Sequence, residues 1–139
     1  GLAPSPLTSA RDVPDALVLT RSDDPLATAH QHVTAALESL ADAEGGRVAV
    51  VVPETWLDRA RSALADLARR DPHSGEPVLS VLTARQSKGL EFDVVVLCEP
   101  AEILAESPGN LYVAMTRPTT QLRVAHAEEL PAGFTDGDF

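Results

Sequence analysis

Apolar positions along this chain switch between two periods, and the switches mark its elements. Ala16-Leu17-Val18-Leu19-Thr20, after Pro14, is a short apolar run that predicts a strand. Asp24-Pro25 predicts a helix start, a capping carboxylate followed by proline at the first helical position. Leu26, Ala29, Val33, Leu37 and Leu40 recur at three to four along one face of that helix, and Gly45-Gly46 ends it. Arg47 to Val52 is apolar after its first residue, the pattern of a strand buried on both faces. Pro53-Glu54-Thr55 opens a second helix, with Trp56, Leu57, Ala60, Leu64 and Leu67 on its inner side. Residues 71–77 read as a loop. Val78–Leu82 and Val94–Cys98 are predicted strands, Ala101–Ala105 a short helix or turn. Pro108-Gly109 interrupts, Leu111–Thr116 is predicted as a helix, and Gln121–His126 as a last strand. Strands alternating with helices imply an α/β domain whose sheet is mostly parallel and flanked by helices. The expected organisation is a frayed segment over 1–14, one domain over 15–131, and a mobile acidic tail over 132–139.

Composition narrows the function. A chain of 139 residues with a 44% hydrophobic fraction can bury a real core. Eleven Lys and Arg against 21 Asp and Glu leave a net charge of −10. Such a chain is a poor general binder of nucleic acid, because the phosphate backbone must be met by cations. Any such contact must be local. The single Cys98 excludes an internal disulfide and suits a reducing, cytoplasmic setting. No apolar run approaches the ~20 residues needed to cross a bilayer, so no membrane partner is expected.

The polar cluster Thr83-Ala84-Arg85-Gln86-Ser87-Lys88-Gly89-Leu90-Glu91-Phe92-Asp93 lies between two predicted strands. A core has no need of it there; a site on a loop held between strands does. The stretch resembles the "T-x-H-x-[AS]-K-G-L-E-[FW]-D" motif of superfamily I, UvrD/Rep-like helicases and translocases. Downstream, Leu111-Tyr112-Val113-Ala114-Met115-Thr116-Arg117 resembles the same family's "L-x-Y-V-A-[LM]-T-R-A", in family order. The resemblance covers roughly Val48 to Pro131. The compact spacing and the Glu99-Pro100-Ala101-Glu102-Ile103-Leu104 run look most like the actinobacterial HelD-type branch, which acts on RNA polymerase.

The resemblance implies a specific fold and specific roles. The fold would be a three-layer RecA-like domain, the C-terminal one of the helicase motor. Arg117 would be an arginine finger, reaching the γ-phosphate of ATP bound by the N-terminal RecA-like domain of the same polypeptide. On composition alone, Arg117 reads first as a helix-end cation that complements the macrodipole. Glu91 would contact the nucleotide ribose; its bland reading is a surface pair with Lys88. Gly89 suits a left-handed turn or a close ligand approach, and Lys88 could hold the loop or approach the nucleotide. Thr83, Arg85, Gln86 and Ser87 would touch a single-stranded backbone without reading sequence. Arg85 stands where DNA helicases of the family usually carry His. Phe92 and Tyr112 read as core rather than as stacking platforms.

Several chemistries are unsupported. His30 and His32 do not share a helix face, no spacing reads as a metal site, and Cys98 reads as an inert buried thiol. No G-x-x-x-x-G-K-[ST] occurs, so a phosphate-binding loop of its own is lacking. The family's Tyr-Arg motif is lacking too. The expectation is therefore the C-terminal part of a larger motor, in which ATP and Mg2+ are bound mainly by the other RecA-like domain. By itself the chain should be inactive. The competing expectation is a HelD-like factor that uses ATP to remodel RNA polymerase complexes.

Overall fold

Strand β2 (Val48–Val52) shows why the chain takes a layered form: all five residues are buried, so each face of the strand needs its own cover. The computed structural model describes residues 16–42, 45–132 and 134. Around β2 lie β1 (Leu17–Arg21), β3 (Leu79–Thr83), β4 (Phe92–Cys98) and β5 (Pro118–His126). They form one sheet in the order β1-β5-β4-β2-β3, with every neighbouring pair parallel. Helix α1 (Pro25–Asp42) and the short α2 (Leu57–Ala63) cover one face. Helices α3 (Pro100–Glu106) and α4 (Pro108–Met115) cover the other. This is the three-layer RecA-like arrangement expected from the sequence, with a fully parallel sheet.

Two apolar cores follow from strand alternation. Val48, Val50 and Val52 pack with Val33, Leu37 and Leu64 on one side. Ala49 and Val51 pack with Ile103, Leu111 and Ala114 on the other. A register shift at Asp93 puts Phe92 on the same face as Val95 and Leu97, against the pure period of two. The frayed segment expected over 1–14 lies outside the described residues, as does most of the tail. Phe134, assigned to that tail, is instead buried in the second core.

Three element predictions need correction. Pro108-Gly109 does not interrupt; it begins α4. Ser107 caps that helix by accepting the Asn110 N–H at 3.3 Å, and Pro108 fills the first turn, where no N–H partner is required. The helix expected from Pro53 to Leu67 breaks into a 3-10 turn (Glu54–Trp56), α2, and a second 3-10 turn (Ala65–Leu67). The tighter final turn brings Leu64 and Leu67, three apart, onto one line against the core. Tyr112 is not core but 62% exposed. Only Leu111 and Ala114, one helical turn apart, are buried on α4, and Tyr112 lies about 100° round from Leu111.

His30 and His32 do fall on different faces. His30 pairs with Asp66 at the surface, at 2.9 Å. His32 is buried, with Nε2 3.0 Å from Thr20 Oγ1 and Nδ1 2.9 Å from an Arg123 guanidinium nitrogen. Because Arg can only donate, Nδ1 accepts and the ring is neutral. Burial, and secondarily the Arg123 charge, lower the His32 pKa from 6.5. A histidine held below its unfolded pKa contributes stability above pH 6.5 and loses it as pH falls through the lowered value. The urea midpoint should therefore drop more steeply on acidification in the wild type than in His32→Gln. Parallel pH profiles would discard this account.

Candidate functional site

Thr83 is the last residue of β3, and a reciprocal pair of bonds starts the loop after it. The Thr83 N–H donates to Gln86 Oε1 at 3.0 Å, and the Gln86 N–H donates to Thr83 Oγ1 at 3.3 Å. This is a capping box, and it winds Arg85–Ser87 into a 3-10 turn. Ser87 is fully buried, its hydroxyl donating to the Ala84 carbonyl at 2.6 Å. The serine hydroxyl is thus spent inside the turn and does not stand on the surface edge that the sequence reading gave it. Arg85 stays at the surface, its side chain 70% exposed and paired with Glu54 at 3.1 Å. Gln86 also remains exposed.

Beyond the turn, Lys88, Gly89, Leu90 and Glu91 are all exposed. No ion pair joins Lys88 to Glu91. Gly89 has φ 79, and no protein atom lies within 4 Å of where its Cβ would be. The positive φ bears out the left-handed turn reading. The stretch then enters β4 through Asp93, whose Oδ2 accepts the Arg47 N–H at 2.7 Å. Gly46 makes that approach feasible: a Cβ there would sit 2.8 Å from Leu40 Cδ2 and 2.9 Å from Asp93 Oδ2.

Arg117 ends the turn after α4, and its guanidinium is anchored on three sides. Nε donates to Val113 O at 3.1 Å, one terminal nitrogen to Leu90 O at 3.2 Å, and the other to Thr116 Oγ1 at 3.2 Å. The bond to Val113 is the helix-end role that composition suggested. The bond to Leu90 ties Arg117 to the residue before Glu91. Its backbone carbonyl also accepts the Phe92 N–H at 3.1 Å. A guanidinium has five N–H donors, so two remain for a bidentate anion such as phosphate. Arg117 and Glu91 therefore share one ledge.

That ledge lies at the N-terminal edge of the sheet, where β4 and β5 begin. Thr83 lies at the level of Cys98, at the opposite edge. Thr83 and Phe92 thus lie the length of β4 apart, about 20 Å at ~3.3 Å per residue, and residues 84–91 run from one edge to the other, with the Leu90 N–H on the Ser87 carbonyl at 3.0 Å. The two edges carry different charged groups. Arg47 and Arg117 stand at the N-terminal edge, and the Arg47 guanidinium lies 4.9 Å from the centroid of the Phe92 ring. Glu54, Glu99, Glu102 and Glu106 follow the C-terminal ends of β2 and β4. Cys98, the last residue of β4, is buried, and burial pushes its thiol up to about 12, so it offers no nucleophile.

By sequence, residues 17–125 match the viral superfamily 1 RNA helicase core domain. The chain belongs to this superfamily 1 helicase family. Curated proteins give no match. Among solved structures, the helicase domain is similar to the C-terminal domain of a possible DNA helicase from Lactobacillus plantarum WCFS1. That likeness has a TM-score of 0.63 at 17% identity and covers 95% of this chain and 87% of the other. A CRISPR-associated protein shares the fold at TM-score 0.50 and 15% identity, over 88% of this chain and 18% of its own. At these identities both show the fold alone.

Two residues of this superfamily 1 domain escaped the sequence reading. Arg47 brings a second guanidinium to the edge that carries Arg117; its only sequence signal is a lone cation opening an otherwise apolar strand. Glu99 is buried at the other edge; in the sequence it figures only as the start of the Glu99–Leu104 run, and its one signal as a site residue is a carboxylate directly after a buried strand.

Proposed function

We propose that this domain is the C-terminal motor half of an ATP-dependent superfamily 1 DNA helicase or translocase. ATP and Mg2+ are held mainly by a second RecA-like domain across a cleft, and the reaction is phosphoryl transfer from ATP to water. Arg117 offers its two remaining N–H groups to the charge that develops on the γ-phosphate. Glu91, on the same ledge, takes the ribose side, with Lys88 and Gly89 in the loop beside it. Arg85 and Gln86 are the side chains left to touch a strand, with Thr83 and Ser87 shaping the turn that carries them. The observation behind this reading is the arginine pinned to the motif loop with donors to spare. The matched family is described as RNA helicases and the fold neighbour as a possible DNA helicase, so the assay is run with both kinds of strand.

The test uses the full-length protein. ATP hydrolysis should rise on adding single-stranded DNA, and a labelled strand should be displaced or traversed. Hydrolysis indifferent to any strand would remove the translocase reading. The acidic C-terminal edge favours a second reading, a HelD-like factor that spends ATP on remodelling RNA polymerase complexes. Retention of polymerase by the full-length protein, released by ATP and without strand separation, would select it.

A further inference from the structure

An open cavity of about 360 Å³ lies at the C-terminal edge, away from Arg117 and Glu91. Asp23, Glu99, Glu102, Glu128, Trp56 and Arg59 are on its wall, together with Asp24. Five acidic residues and one arginine thus line it. Glu99 is its least usual member. It is only 2% exposed, and it takes a left-handed backbone, φ 48 and ψ 67, which is costly for a residue with a side chain. Its Oε1 accepts the N–H groups of Ala127 at 2.9 Å and Glu128 at 3.2 Å. Its Oε2 is buried and has no hydrogen-bond partner. A buried acceptor without a donor is costly, so the protein keeps an acceptor here that its own described residues do not satisfy.

The cavity's chemistry specifies the missing donor. It must be cationic, because the wall is acidic. No three His, Cys, Asp or Glu side chains among the described residues converge closely enough to hold a metal ion. The space exceeds what a bare ion fills. The aromatic wall already receives a guanidinium: Arg59 lies 4.9 Å from the centroid of the Trp56 ring. A guanidinium is weakly hydrated and can donate to a carboxylate while lying against an aromatic face, which suits a part-buried acidic pocket better than an ammonium does. We infer that this cavity binds an arginine side chain presented by a basic polypeptide partner, with Glu99 as the buried acceptor. The chain's net charge of −10 complements such a partner.

Trp56 is the only tryptophan of the chain, so its emission reports this wall. Titration with a capped tripeptide carrying a central arginine should give a saturable change in that emission. The same peptide with uncharged citrulline in place of arginine should give none. Glu99→Gln keeps an oxygen for the Ala127 and Glu128 amides but loses the charge. Its affinity should fall at least about tenfold with an unchanged circular dichroism spectrum. Should that variant misfold, Glu102→Gln provides a second reading, with a weakening of about threefold from a part-exposed carboxylate. Four outcomes overturn the inference: citrulline peptide binding as well as arginine peptide, magnesium chloride giving the same change, free arginine amide matching the peptide, or undiminished binding by a folded Glu99→Gln.

Discussion

Arg117→Ala in the full-length protein is expected to lower ATP turnover by about 10³-fold or more, the range set by arginine fingers elsewhere. On the proposed reading the loss should fall more on kcat than on KM for ATP, because an arginine finger meets charge that shifts as the phosphoryl group transfers. Arg117→Lys should recover little. An ammonium keeps the charge, but it cannot hold Val113 O, Leu90 O and Thr116 Oγ1 together while offering two parallel donors. The fold should survive both changes, since the side chain is only half-buried and three neutral acceptors would return to water. Steady-state hydrolysis with saturating strand, beside thermal melts of each variant, is the measurement. Turnover within a few-fold of wild type in a folded Arg117→Ala protein would reduce Arg117 to a helix cap.

The second large effect is on stability. Phe92→Ala should cost about 3–5 kcal/mol, the range for removing a buried aromatic side chain. Phe92 is 2% exposed, packs with Leu111 and Ala114, and carries the Arg47 guanidinium on its ring. Domains of this size are stable by roughly 5–15 kcal/mol, so the variant should unfold at markedly lower urea. Phe92→Leu should cost much less, because it leaves a smaller void. A midpoint for Phe92→Ala that matches the wild type would mean that the second core closes over the gap, contrary to the packing described.

How much of this could be read beforehand depended on whether a residue's partner was near in sequence. β2 was legible because an unbroken apolar run has one sensible environment, a strand covered on both faces. Thr83 and Arg117 were legible as motif members, and their place at element ends followed from the flanking runs. Ser87 was misjudged: a hydroxyl that bonds the carbonyl three residues back looks the same in sequence as one that reaches outward. Tyr112 was misjudged because an apolar heptapeptide hides which two positions of a short helix meet the sheet. Glu99 was invisible, since its acceptor role depends on amides 28 and 29 residues away, brought alongside by the β4–β5 ladder. The gathering of Glu54, Glu99, Glu102 and Glu106 at one sheet edge was likewise unreadable without strand order.

The loop from Thr83 to Phe92 is clamped at both ends, by the capping box at one and by the Arg117 carbonyl at the other. Between the buried Ser87 and Phe92 lie four exposed residues, Lys88 to Glu91, and of these Leu90 is held on both sides, its N–H on the Ser87 carbonyl and its own carbonyl under Arg117. A tug at Arg85 would accordingly travel through a tether with a single swivel, Gly89, before it reached Arg117. The stroke of such a linkage is set by one residue's backbone rotation, which makes it a short, stiff crank and not a spring.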